Sequence, residues 1–117
     1  MIYLSNGFSV SMVRFPLIGD GREIYMTRIS AKEAGELLRG NSFRSVYGHL
    51  DSAWHLGRYL KIRILVCREA ISLEQGDVLI VAKATLDREY KLGIRRAPKW
   101  SFFRIELTGE KGGDVFQ

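Results

Sequence analysis

The run Val78-Leu79-Ile80-Val81-Ala82 is the most apolar stretch of the chain and the one that most restricts its fold. Five aliphatic residues in a row show neither helical nor alternating polarity. A strand built from them has to be covered on both faces. Such a strand also needs hydrogen-bonding neighbours on both edges, and the remaining residues are read for what supplies them.

Residues 2–13 alternate apolar and polar side chains imperfectly and read as one strand or two short ones, with Asn6-Gly7 marking a turn or bulge. If the strand continues, Ser9 and Ser11 flank Val10 and share the face opposite it. Residues 16–21 read as a loop and residues 23–27 as a second, short strand. Ser30-Ala31-Lys32-Glu33 is a capping box, in which the serine serves a free helix N–H and the glutamate reaches back. Ala31, Ala34, Leu37 and Leu38 then recur at helical spacing, and Gly40-Asn41 stops the helix.

Residues 43–47 are apolar enough for an inner strand that ends at Gly48. After His49, the positions Leu50, Ala53, Leu56 and Leu60 mark the buried stripe of a second helix. Trp54, His55 and Tyr59 fall on its other faces. Trp54 is open to a packing, dimer-contact or base-stacking role, and His55 reads as a surface histidine. Residues 62–66 are strand-like, residues 87–93 a short helix or lid, and residues 100–107 a final strand with Phe103, Ile105 and Leu107 on one face. The expected fold class is α/β (α+β): a single domain over residues 1–108 with a mixed β-sheet of five to six strands flanked by helices. Residues 109–117 are expected to form a flexible C-terminal tail.

Of the 117 residues, 46% are hydrophobic and 26% charged, which is the balance of an ordinary globular protein. No run of about 18 apolar residues is long enough to span a bilayer. Residues 1–6 lack the features of a signal peptide, so a cytoplasmic location is expected, in the host cell if the protein is viral. Cys67, the one cysteine, reads as a small core residue. Two histidines and one cysteine give no zinc set, so neither a metal nor another cofactor is expected.

The formal net charge is +5. Between Thr85 and Arg104 stand Arg88, Lys91, Arg95, Arg96, Lys99 and Arg104 against only Asp87 and Glu89. Charge of this kind fits a polyanionic ligand or a solvated face, and a homodimer would double it.

Taken in order, several short signals resemble a known family. They are Leu4-Ser5-Asn6-Gly7-Phe8-Ser9, then Arg28-Ile29-Ser30 leading into the capped helix, then Ser45-Val46-Tyr47-Gly48-His49 followed by Ser52-Ala53. Arg68 comes next, nine residues before Asp77 in Gly76-Asp77, and Lys99-Trp100-Ser101-Phe102-Phe103 closes the series. Their order and spacing from residue 2 to residue 107 resemble the small viral anti-CRISPR ring nucleases, which degrade the second messenger cyclic tetra-adenylate and so suppress type III CRISPR immunity.

The resemblance implies a homodimer that holds cyclic tetra-adenylate across its two-fold axis, with no membrane and no stable protein partner. It implies metal-independent cleavage, in which a ribose 2′-OH attacks the adjacent phosphate and leaves a 2′,3′-cyclic phosphate. His49 matches the family histidine that protonates the departing 5′ oxygen, a role suited to a group that exchanges protons near neutrality. Gly48 precedes it at the site. Arg68 and Arg88 match phosphate-binding arginines, Asn6 and Ser9 match polar residues lining the ligand site, and Ser11 assists them.

The pattern departs from the family after the central strand. Arg88 falls one residue late, and Lys91 stands where the family has a glutamate. Glu89 is the nearest carboxylate to act as base after a one-residue shift. If it does not, the chain is a non-cleaving binder of the cyclic nucleotide. A general nucleic-acid-binding module is the third alternative, and it rests only on the basic segment and its interleaved aromatics.

Overall fold

The computed structural model of the chain describes residues 1–13, 23–85 and 99–107. Strands β1 (Ile2–Ser5), β2 (Ile24–Ile29), β3 (Phe43–Ser45), β4 (Val78–Thr85) and β5 (Lys99–Leu107) form one five-stranded sheet. Helix α1 (Ala31–Arg39) lies between β2 and β3 in the chain, and helix α2 (Leu50–Leu60) lies between β3 and β4. The strand order is β2-β5-β4-β1-β3, so the apolar run occupies the middle of the sheet.

On one edge β4 pairs in parallel with β1, and on the other it pairs antiparallel with β5. The sheet is therefore mixed, with β5 alone running against the other four strands. The expected α+β domain with a mixed five-stranded sheet and flanking helices is what forms.

Register explains why both faces of β4 are buried. Leu4 pairs with Ile80, and Tyr3 with Leu79. Alternate residues then point to opposite sides. One side carries Leu4, Ile80, Ala82 and Phe102 under the buried residues of the two helices, chiefly Ala34, Leu38, Leu56 and Leu60. The other carries Leu79, Val81, Ile105 and Leu107. It is closed by two irregular segments that contribute Phe8, Met12 and Val13, and Ile71 and Leu73. Those segments meet in a bridge between Val13 and Leu73, and the Leu73 N–H donates to the Met12 carbonyl at 2.6 Å.

The start of α1 and the end of α2 have local causes. Ser30 Oγ accepts from the Glu33 N–H at 3.1 Å, and Glu33 Oε1 accepts from the Ser30 N–H at 3.3 Å, completing the capping box. At the other end of α1, Arg39 folds back over Gly35, where a Cβ would come within 2.6 Å of its Nη1. From there Nη1 donates to the Leu60 carbonyl at 2.7 Å. A cation thus meets the carboxyl end of α2, where the helix dipole favours it. Lys61, with φ of 57°, ends α2 in the left-handed region.

Five local expectations are corrected. β1 ends at Ser5, whose hydroxyl donates to the Gly7 carbonyl at 2.9 Å and turns the chain out of the sheet. Ser9 and Ser11 therefore lie on a single 3-10 turn (Val10–Met12), with Ser9 as its cap. β3 is only three residues long and sits at the sheet edge, because β1 takes the inner position. Its apolar continuation, Val46 and Tyr47, is buried after the strand has ended.

Residues 62–66 form no strand and contribute only one bridge, from Val66 to Tyr47. Ile62 and Ile64 pack against the core, whereas Leu65 is 62% exposed. Cys67 is half-buried rather than a core residue. Leu50 is exposed because the buried stripe of α2 runs through Ala53, Leu56 and Leu60, and a rotation of about 100° per residue puts Leu50 a quarter-turn away. The expected loop 16–21, the segment 87–93 and the tail 109–117 lie outside the described residues.

Tyr47 locks the helix layer to the central strand. It is 1% exposed, and its hydroxyl donates to the Ala82 carbonyl at 3.0 Å. Burial raises its phenol from the ordinary 10.0 to about 12. The folded chain therefore holds this proton more tightly than the unfolded chain. That contribution is complete below pH about 10 and is lost as the pH climbs towards about 12. Across that window, denaturant titrations are expected to move the stability difference between wild type and Tyr47→Phe in favour of the variant, by on the order of 2 kcal/mol. Removal of the helix cap by Ser30→Ala is expected to lower stability by about 1 kcal/mol, read as a fall in melting temperature.

Candidate functional site

The parallel strands β1 and β3 end on the same side of the sheet, β1 running into a polar bend at Asn6 and β3 into the segment that leads to Gly48 and His49. Such carboxyl ends are where α/β sheets present loops to ligands. Asn6 follows β1 directly. Gly48 and His49 follow β3 after the buried pair Val46 and Tyr47. A shallow groove of about 370 Å³ opens between these turns, with Asn6, Ser9, Gly48 and Arg68 all on its walls. Phe8 and Met12 supply an apolar side.

Gly48 is held from two directions. Its N–H donates to Asn6 Oδ1 at 3.4 Å, a long bond, and its carbonyl accepts from Arg68 Nε at 2.9 Å. A Cβ there would lie 3.2 Å from Arg68 Cγ, so any larger residue has to push the arginine stem aside by a few tenths of an ångström. With Nε engaged, the planar guanidinium is fixed in orientation. Its two Nη groups have no partner among the described residues. A fork held in this way is suited to two oxygens of one phosphate.

His49 is exposed and occupies the N-cap position of α2 without capping it through its side chain. Its Nδ1 lies 3.3 Å from Ser52 Oγ, one helical turn further on. With Nδ1 engaged by the hydroxyl, Nε2 is the nitrogen left to meet a ligand. The first-turn amides of α2 stand beside it at the positive end of the helix, an arrangement that favours an anion.

The sequence-derived residues divide as follows. Asn6, Ser9, Gly48 and Arg68 come together at the groove. His49 is the next residue along the chain from Gly48 and is not among the residues that line it. Ser11 reaches the site only through Ser9, the two hydroxyls lying 2.9 Å apart. Arg88 and Glu89 lie outside the described residues. Among the described residues, no three His, Cys, Asp or Glu side chains gather as a metal-holding group.

Two further residues belong to the site. Glu69 lines the groove, with its carboxylate paired to Arg44 at 2.7 Å and so partly neutralised beside the guanidinium of Arg68. In the sequence it reads as one more solvated charge. Ser52 was legible as the i+3 neighbour of His49, the spacing that places two side chains on one helix face.

Replacing Gly48 by alanine tests this construction. Gly48 is not at positive φ, so the backbone accepts a side chain. Gly48→Ala is expected to fold with less than about 1 kcal/mol lost while displacing the Arg68 stem. The measurement is a near-unchanged melting temperature together with a shifted Arg68 Nε–H resonance.

Comparison with known proteins agrees with this architecture. In fold the chain is similar to B116 of Sulfolobus turreted icosahedral virus, with a TM-score of 0.65 at 15% sequence identity, covering 90% of this chain and 97% of that one. No curated protein matches it. Among the described residues, no helix is long and apolar enough to cross a membrane. The STIV B116-like family model matches residues 2–91, three-quarters of the sequence and every element from β1 to β4, and the chain belongs to that family, whose namesake is a viral protein.

Proposed function

We propose that the protein is a metal-independent ring nuclease that opens cyclic tetra-adenylate, and that it thereby suppresses type III CRISPR immunity. The observation that carries this reading is the meeting of Asn6, Ser9, Gly48 and Arg68 around one groove, with His49 the next residue after Gly48. Those residues are far apart in sequence, and the resemblance picked them out without reference to any structure.

The chemistry follows from the groups present. A phosphate of the ring lies against the Nη groups of Arg68 and the first-turn amides of α2. The neighbouring ribose 2′-OH attacks phosphorus in line. A P–O2′ bond forms, the P–O5′ bond breaks, and a 2′,3′-cyclic phosphate remains. His49 gives its proton to the departing 5′ oxygen, with Ser52 fixing the ring through Nδ1. The proton lost from the 2′-OH passes to Glu89 or to water. Because the nucleophile is part of the substrate, positioning supplies much of the acceleration. The ring sits across the two-fold axis of a homodimer, and each protomer presents one such site.

A non-cleaving binder is the second reading. The observation favouring it is that Glu69, the carboxylate on the groove wall, is engaged with Arg44 rather than free to act as a base. Mass spectrometry of cyclic tetra-adenylate incubated with excess protein in EDTA separates the two. Linear product ending in a 2′,3′-cyclic phosphate supports the nuclease, whereas tight binding with an intact ring supports the binder. His49→Ala is expected to slow cleavage by roughly 10²–10⁴-fold with binding kept. Arg68→Ala is expected to weaken binding by about tenfold or more.

A further inference from the structure

One carboxylate stands where a site for a polyanion should have none. Glu69 lines the groove beside Arg68, and its charge repels the phosphates that the arginine attracts. Neither phosphate binding nor proton transfer by His49 gives it a task.

Arg44 tempers that repulsion without closing the carboxylate off. From the edge strand β3, its Nη2 donates to Glu69 Oε2 at 2.7 Å. This contact offsets part of the negative charge and sets the orientation of the carboxylate. Oε1 has no partner among the described residues. The groove wall thus presents an oxygen that can only accept, and an ionised phosphodiester has no hydrogen to give it. It calls for an N–H or O–H on the ligand.

Asn6 supplies the opposite function. A backbone N–H can only donate, so the bond from the Gly48 N–H turns Asn6 Oδ1 towards the glycine. Its Nδ2, with no partner among the described residues, is left as a donor. The groove therefore carries one oriented acceptor, one oriented donor, and the apolar side made by Phe8 and Met12. Both apolar residues pack against the core on that side of the sheet, which holds them in place.

A purine laid on the apolar side meets this pair with its edge. Adenine presents an amino group beside a ring-nitrogen acceptor, the complement of Glu69 and Asn6. Hypoxanthine and guanine carry a carbonyl oxygen in place of the amine, which sets one acceptor against another.

We infer that Glu69 selects adenine: Oε1 accepts from the exocyclic amine, Asn6 Nδ2 donates to a ring nitrogen, and Arg44 holds the carboxylate in position. The inference rests on the groove being the site for cyclic tetra-adenylate, and it applies whether or not the ring is then cut.

Isothermal titration calorimetry with cyclic tetra-adenylate and cyclic tetra-inosinate tests it, using the full chain with His49→Ala so that the ring stays intact. The adenylate ring is expected to bind roughly tenfold tighter or more. With Glu69→Gln added, the side-chain amide can donate as well as accept. The inosinate ring then gains affinity and the preference falls to near unity, with unchanged circular dichroism. Loss of a merely structural ion pair moves both rings alike. The inference is overturned, with ring binding left standing, if the parent binds both rings equally or if the preference survives Glu69→Gln. It is also overturned if Glu69→Ala weakens both rings equally, which assigns the carboxylate to a ribose hydroxyl. If neither ring binds, the reading of the groove falls and the inference falls with it.

Discussion

Everything in this fold depends on the stretch Leu79–Ala82 of β4 having no side that water can reach. Over its first half the backbone is paired along both edges, to β1 and to β5, and the side chains of Leu79, Ile80, Val81 and Ala82 are buried on both faces. A strand in that position obliges the rest of the chain to supply two covers. The helices make one. The other is a thin assembly of irregular segments, held by the Val13–Leu73 bridge and the bond from Leu73 to Met12. Burying an aliphatic side chain stabilises by roughly 1.5–3 kcal/mol. The repeated apolar pairs across β1, β4 and β5 are therefore enough to fix the register without help from the edge strands.

The groove inherits its order from that register. β1 and β3 are parallel and in step, so the residues that follow them emerge side by side. Asn6 and Gly48 meet for that reason, although 42 positions separate them. Arg68 meets the carbonyl of Gly48 rather than its N–H, on the segment whose Cys67 N–H donates to the Tyr47 carbonyl at 3.0 Å. Three chain segments thus converge on one glycine. None of them needs a ligand to hold its place.

Much of this was legible in the residues, for definable reasons. The central strand, the capped helix and the closing strand each carry a pattern with one physical solution: a run too apolar to face water, a reciprocal pair of caps, a strict alternation. The edge elements were not legible. Residues 43–47 and 62–66 have strand-like composition, yet composition cannot say which strand wins the inner place or how long a pairing lasts. Leu50 obeys a plausible heptad-like spacing and is still exposed, because the true stripe is set by where the sheet lies. At the site, Gly48 and Arg68 were found through order and spacing. Glu69 was hidden because an acid beside an arginine looks like any surface pair until its position on a wall is seen.

The Tyr47 phenol has a mechanical consequence. It ties the residue two positions before His49 to the backbone of β4 at Ala82, three positions before that strand ends. The phenol is thus a pin through the core, joining the segment that leads to His49 to the strand at the centre of the sheet. Tyr47→Phe would draw that pin while leaving the ring in its place.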